Sequence, residues 1–323
     1  MGFCTYRNRS DDGRFAFNIN KISDKAIVSK FYPVFRFVNA NSTFMTEYLN
    51  SSARARKKLS VLAVGTSQVV LSFEALKSAK FDLPCKEEQD KIAALLECIN
   101  TRIAQQHAYV NALKKYKRGA IKKLLSPKSC PLKNAKWTTA KLDEIGSFIK
   151  GAPLSKADIS DDGTPFILYG ELYTTYNEVV TNVKRRTQAQ VDELFLSREG
   201  DVVIPISGET AEEISTASCV MLSDVILAGD LIIYRSHKVD GRIISYLLNH
   251  VVNTQIARIA QGKSVVHIQA SELRQLTLSY PDEKTQKTLI AFLSKLDDKV
   301  INEENALAFL INLKVGLLQQ LFI

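Results

Sequence analysis

The sequence predicts an α+β protein built as two copies of one module, each ending in a long α-helix, with the two helices pairing as an antiparallel coiled coil. Three observations predict it. The stretch Pro84-Cys85-Lys86-Glu87-Glu88-Gln89 returns 197 positions later as Pro281-Asp282-Glu283-Lys284-Thr285-Gln286. The same shift sets Gly65 on Gly262, Ser67 on Ser264, Leu76 on Leu273 and Lys117-x-Gly119 on Lys314-x-Gly316 with no gap, and a register held that long marks a duplicated unit. After each Pro-to-Gln stretch, apolar residues recur in alternating steps of four and three, the coiled-coil period. Between Trp137 and Tyr280, short strand-like segments are scattered among turns with few helices, which favours α+β over regular βαβ winding.

In chain order, Phe31–Val38 has the aromatic and β-branched content of a strand, and Phe44–Leu59 reads as a helix. Gly65-Thr66-Ser67-Gln68 is a polar loop before the apolar Val69-Val70-Leu71. From Lys86 to about Ser126 the seam runs through residues 92, 96, 99, 103, 106, 110, 113, 117, 120 and 124. Its counterpart is Leu289, Leu293, Leu296, Val300, Glu303, Leu307, Leu310, Lys314, Leu317 and Leu321. Polar residues interrupt both seams at equivalent places, Gln106 with Glu303 and Lys117 with Lys314, and such interruptions cost stability while fixing register. Two prolines, Pro127 and Pro131, stop the first helix. Strands are expected at Pro165–Tyr169, Asp201–Ile206, Ser218–Leu222 and Gly229–Tyr234, and a helix over Gly241–Ala260. The resulting division is 1–83, helix 84–128, linker 129–136, 137–281 and helix 282–323.

At 323 residues the chain can hold two globular parts, and 46% hydrophobic with 24% charged residues is ordinary for a soluble protein. No apolar run approaches the ~20 residues of a membrane span. Five cysteines, odd in number and unpatterned, fit a reducing cytoplasm. The net charge of +9 is uneven: residues 1–128 carry 23 Lys and Arg against 10 Asp and Glu, which leaves 20 against 24 beyond them. A basic balance of that size points to a polyanionic partner, with solubility alone as the other reading.

Catalytic signatures are missing. There is no phosphate loop, no Gly-x-Gly-x-x-Gly, no Cys-x-x-Cys and no Gly-x-Ser-x-Gly, and the histidines at 107, 237, 250 and 267 lack metal-ligand spacing. Candidates for binding lie in polar loops. Arg7, Arg9 and Arg14 cluster beside Asn8, Ser10 and Gly13, and Arg side chains can read guanine edges. Ser207 lies in the shifted equivalent of that turn. Lys184, Arg185 and Arg186 could hold a phosphate, or form a solvated charge run. Ser67 answers Ser264 in the two Gly-x-Ser loops, with Lys263 beside the latter, as a shared contact or a shared turn. Lys156 and Tyr169 complete the candidate set.

These residues also carry a family likeness. The Pro-to-Gln opening, the long helix ending Lys-x-Gly-x-x-x-x-Leu and the Gly-x-Ser loop resemble the specificity subunit of type I restriction-modification enzymes. So do Trp137-x3-Lys141-Leu142-x-x-Ile145-Gly146, the opening of a target-recognition domain, and Thr164-Pro165-Phe166 with Tyr169-Gly170. The resemblance covers nearly the whole chain. It implies a subunit without catalysis that binds double-stranded DNA through two target-recognition domains, each reading half of a bipartite sequence. The paired helices would space the halves and dock methylation subunits, to which restriction subunits add; S-adenosylmethionine, ATP and magnesium are expected in those partners and not on this chain.

One departure stands out. Shifting Trp137 back by 197 positions falls before Met1, so residues 1–83 match only Arg198 onward and the first recognition domain is expected to be incomplete. A truncated allele, a silent cassette, or a fragment completed by another polypeptide or a second copy would each give this pattern. A coiled-coil scaffold that docks methylation subunits or a second chain, with little DNA specificity of its own, is the other functional reading.

Overall fold

The computed structural model describes residues 2–21, 25, 27–66, 68–260, 262 and 266–322. The chain divides into two compact units, Met1–Ala112 with Val300–Ile323, and Leu113–Lys299.

In the first unit, β1 (Cys4–Tyr6) is the centre of a three-stranded antiparallel sheet. After β2 (Arg9–Ser10), the chain forms β3 (Phe17–Ile19) and β4 (Val34–Phe35), which flank β1 on its two sides. Burial alternates along all of 31–38, as a strand requires, but only Val34–Phe35 is paired because β1 is so short. Two helices follow where one was expected, α1 (Ser42–Ser51) and α2 (Ala53–Leu62). Ser52 divides them: its N–H bonds the Tyr48 carbonyl to close α1, and its hydroxyl accepts from the Ala55 N–H to open α2. β5 (Val69–Val70) pairs with β2, and α3 (Phe73–Ser78) leads to the long helix α4 (Lys86–Leu124). Tyr6 anchors the core, with its ring stacked on Phe17 at 5.0 Å and its hydroxyl donating to the Leu71 carbonyl at 2.9 Å.

The second unit opens with β6 (Trp137–Lys141), α5 (Leu142–Ile145) and β7 (Gly146–Lys150). β8 (Thr164–Leu168), α6 (Glu171–Thr174), β9 (Val179–Val180) and β10 (Arg185–Thr187) come next. The central strand is β11 (Asp201–Pro205), buried along its length and followed by β12 (Ser207–Gly208) and α7 (Ala211–Ile214). β13 (Ser218–Val220), β14 (Ile226–Ala228) and β15 (Leu231–Ser236) complete a five-stranded sheet in the order β7-β15-β11-β13-β9 and a three-stranded sheet in the order β10-β8-β14. The expected helix over 241–260 is again two, α8 (Gly241–His250) and α9 (Asn253–Ile259), separated at the β-branched Val251 and Val252. β16 (Val266–His267) pairs with β12, α10 (Ala270–Arg274) follows, and β17 (Thr277–Pro281) pairs with β6 before the long helix α11 (Glu283–Leu321). The Ile145-Gly146 step has a steric cause: a Cβ on Gly146 would lie 2.4 Å from the Tyr234 ring.

α4 and α11 are each 39 residues long, and every seam position read from the sequence is buried or half-buried. Within each unit their segments run antiparallel. In the first, Ala93 and Leu96 share a cluster with Leu318, Leu321 and Phe322, while Gln106 meets Glu303. In the second, Ile121 and Leu125 share a core with Leu289 and Leu293. Each unit therefore holds one globular part and a portion of each long helix, so the compact units cut across the helices that bound the sequence segments. No helix among the described residues is long and apolar enough to cross a membrane.

The Pro-to-Gln opening has one job in both units. Gln89 donates to the Pro84 carbonyl at 2.9 Å and accepts from the Asn41 N–H at 3.0 Å. Gln286 donates to the Pro281 carbonyl at 2.9 Å and accepts from the Asp240 N–H at 2.9 Å. Asn41 and Asp240 are the N-caps of α1 and α8, so a buried glutamine ties the start of each long helix to the start of a helix in its globular part. Replacing Gln286 by Ala strips two buried backbone groups of their partner and should cost about 1–3 kcal/mol. Urea unfolding checks this, and hydrogen exchange should show lost protection at the Asp240 amide.

Candidate nucleic-acid interface

In the first unit, Arg7, Arg9 and Arg14 are all exposed around β2. The Arg9 guanidinium lies 4.5 Å from the Phe31 ring centre and donates to Gln68 at 3.4 Å. Arg14 lies 3.6 Å from the Asp12 carboxylate. Asp12 is itself held below its usual range by the Ser10 hydroxyl at 2.7 Å and by the Arg14 N–H at 3.0 Å. The turn is thus a small loop organised by Asp12, which partly offsets the arginine charge.

A richer basic surface in this unit escaped the sequence reading. α2 exposes Arg54, Arg56, Lys57 and Lys58 on one side while burying Ala55 and Leu59 on the other. Arg54, Lys57, Lys58 and Lys80 line a groove of about 870 Å³ that also presents Tyr48 and Phe81. The signal was available, since Arg54-x-Arg56-Lys57-Lys58 is the densest cationic run of residues 1–83.

In the second unit, backbone pairing gathers several candidates. Ser160 bridges to Arg186 of β10, and the Thr187 hydroxyl donates to the Asp158 carbonyl at 2.6 Å, so the turn bearing exposed Lys156 is fastened to β10. Lys184 is exposed, its backbone N–H donating to the Tyr176 hydroxyl at 3.2 Å. Arg186 is exposed and donates to the Gly163 carbonyl at 2.8 Å. Arg185 is committed elsewhere, with its Nε 2.8 Å from the buried Glu171 carboxylate. Tyr169 is half-buried against the core behind β8.

Ser207 is placed to hold strands rather than to reach a base. It is buried, donates to Asp230 at 3.0 Å and meets His267 Nδ1 at 2.9 Å across the β12–β16 pair. Ser, His and Asp here do not form a nucleophile relay, because the histidine does not lie between serine and carboxylate. Ser67, Lys263 and Ser264 lie outside the described residues.

The seam polar residues are strongly engaged. Gln106 donates to Glu303, its own sequence equivalent, at 2.7 Å to the carboxylate and 3.1 Å to the carbonyl. Lys117 lies 2.7 Å from both Glu178 and Asp297, in a site where all three side chains are less than a fifth exposed. Lys314 lies 3.0 Å from Glu47, which also accepts from Asn100 at 3.1 Å. Asn100 is the shifted equivalent of Asp297, so each lysine meets an acid from the globular part and the same position of the facing helix contributes a polar group. Glu178 also meets His250 at 2.5 Å, and Tyr246 donates to Asp297. Neither Glu47 nor Glu178 carries a motif, and neither was singled out from the sequence.

Electrostatics in the Lys117 site follow from crowding. Burial alone would raise the Glu178 carboxyl, but His250 and the Lys117 charge outweigh it and hold it at about 2. Burial raises Asp297 and wins over Lys117. Burial would lower Lys117, but the two acids raise it. Because Glu178 sits below its ordinary 4.5 when folded, its contribution is present above that value and lost as pH falls toward 2. Asp297 acts with the opposite sign. Lys117→Met should cost about 3–5 kcal/mol by leaving two buried acids without their cation. Denaturant titrations should show that cost at pH 7 and a smaller gap between wild type and variant near pH 3.

The fold defines a class of protein in which an α+β module with a duplicated core runs, twice, into a 39-residue helix with a polar-punctuated seam. The chain belongs to the family described as type I restriction modification DNA specificity domain, whose model matches residues 2–115 and 134–309. It is similar to the type I restriction enzyme MjaVIII specificity subunit of Methanocaldococcus jannaschii, with 21% identity over 262 residues, covering 73% of this chain and 59% of that protein. This chain thus spans less than two thirds of that relative's length. Among solved structures, it resembles the S subunit of a type I restriction-modification system from M. genitalium (15% identity, TM-score 0.61, all of this chain and 83% of that one). A chain from a structure on complex assembly and conformational transition of the type I R-M system gives 17% identity and a TM-score of 0.61 over 99% of this chain and 81% of that one. At these identities the structural likenesses concern the fold.

Proposed function

We propose that this chain is a non-catalytic specificity subunit that recognises double-stranded DNA within a type I restriction-modification complex. The observation that carries the reading is the family match across residues 2–115 and 134–309, together with exposed cations on α2 and around β10. Phosphate contacts position a protein on DNA and base contacts specify, so Lys57, Lys58 and Lys184 suit positioning, while Arg7, Arg9 and Arg186 have the donors for base edges. Methylation and cleavage belong to partner methylation and restriction subunits, which hold S-adenosylmethionine, ATP and magnesium. The second module reads one half of a bipartite target while the first reads its half poorly or not at all, and the length of the paired helices sets the spacer.

Binding of duplex DNA should weaken steeply with salt, since cations released from phosphates drive it. Lys57→Ala and Lys184→Ala should each reduce the slope of log K against log salt by about 1 without changing which sequence is preferred. Fluorescence anisotropy over a salt series reads this, and a salt-independent affinity would favour protein docking as the main role. Insertion of four residues at equivalent points of α4 and α11 should alter the spacer and leave the half-sites alone. Mapping of methylated sites after co-expression with a methylation subunit decides it; an unchanged spacer sinks the measuring role of the helices.

A further inference from the structure

In the second unit, one continuous segment covers two edges. β6 pairs with β17 from Trp137 opposite Pro281 to Lys141 opposite Thr277. β7 pairs with the outer side of β15 from Gly146 opposite Ser236 to Lys150 opposite Ile232. Between them α5 buries Leu142 and Ile145. The Leu142 N–H donates to the Leu276 carbonyl at 3.0 Å, and its carbonyl accepts from the Tyr234 hydroxyl at 2.9 Å.

The first unit carries both receiving edges. The 197-residue shift sets β17 on residues 80–84 and β15 on residues 34–39. β4 is the end strand of its sheet and pairs with β1 alone, and residues 80–84 belong to no strand. The side chains agree with the backbone. Leu278 and Tyr280 are 0% and 8% exposed, whereas their equivalents Phe81 and Leu83 are half-exposed. Tyr234 is fully buried, but Phe37 in its place is half-exposed, and Val34 and Val38 are 51% and 83% exposed. An edge that presents unpaired backbone and apolar side chains is a template for an added strand.

We propose that this face of the first unit takes a strand–turn–strand polypeptide segment of the kind formed by residues 137–150, paired to residues 80–84 and to the outer edge of β4. The recognising chemistry is defined by the second unit. Two apolar residues three apart, as Leu142 and Ile145 are, fill the space between the edges. A glycine must follow, because Phe37 stands where the Tyr234 ring excludes a Cβ at Gly146. Strand addition at this face does not require the chain to bind DNA.

The full chain is mixed with a synthetic peptide of residues 136–151, and amide exchange is followed by mass spectrometry. Saturable binding is expected, with new protection at residues 34–38 and 80–84 and none at Thr277–Pro281, whose partner is already in place. A peptide carrying Leu142→Asp and Ile145→Asp should bind about a hundredfold more weakly. Absence of binding, or protection that misses either edge, overturns the proposal. Concentration-dependent protection of the same amides without peptide overturns it too, since the occupant is then a second copy of the chain.

Discussion

The structure depends on a buried glutamine that faces two ways. Gln89 and Gln286 each close a loop onto the carbonyl of the proline five residues earlier, and each satisfies the N–H of a helix-capping residue far back in the chain. A side-chain amide has both a donor and an acceptor in a fixed plane, so it can serve both partners where a carboxylate or an apolar residue could not. Both side chains are nearly inaccessible, at 4% and 5%, so the bonds are made without competition from water. The direction in which each long helix leaves its globular part is set at this point.

Beyond that anchor, the seam gains specificity from polar groups that are costly to bury. Lys117 in one unit and Lys314 in the other each face an acid from outside the helix pair, Glu178 and Glu47. An apolar pair could slide by a heptad at little cost, whereas a slip here would strand a charge. The two acids shift in opposite directions: Glu178 is lowered by His250 and Lys117 against its burial, whereas burial raises Asp297 in spite of Lys117. Gln106 and Glu303 serve the same end by neutral-to-charged hydrogen bonding.

Much of the fold was legible because it rests on period and repetition. The four-three spacing appears directly as burial along α4 and α11, and the strand expected at Asp201–Ile206 forms as the buried Asp201–Pro205. Short strands were not. β7, β9, β10 and β14 take their identity from a neighbour, and the two expected single helices are broken by Ser52 and by Val251-Val252, whose effect depends on context. Of the candidate interface residues, Lys184 and Arg186 are exposed as a basic run implies, but Arg185 beside them is drawn to Glu171, and strand alternation alone does not reveal a buried acid fourteen residues away. Ser207 looked like a turn residue and is a buried strand clamp, because its partners Asp230 and His267 come from separate parts of the chain.

By itself the sequence determined the duplication, the helix seam and its polar interruptions, since each is a matter of spacing along one dimension. Family membership followed from the same motifs. The tertiary structure alone decided what those motifs are for: that glutamine and proline form a two-ended tie, that Gly146 makes room for an aromatic ring, and that the seam lysines are answered by acids no motif announces. Those facts belong to contacts between residues roughly fifty to two hundred and seventy positions apart. Hydrogen bonds and close packing act over a few ångströms in space, and nothing in the order of residues records which distant groups will be brought within that range.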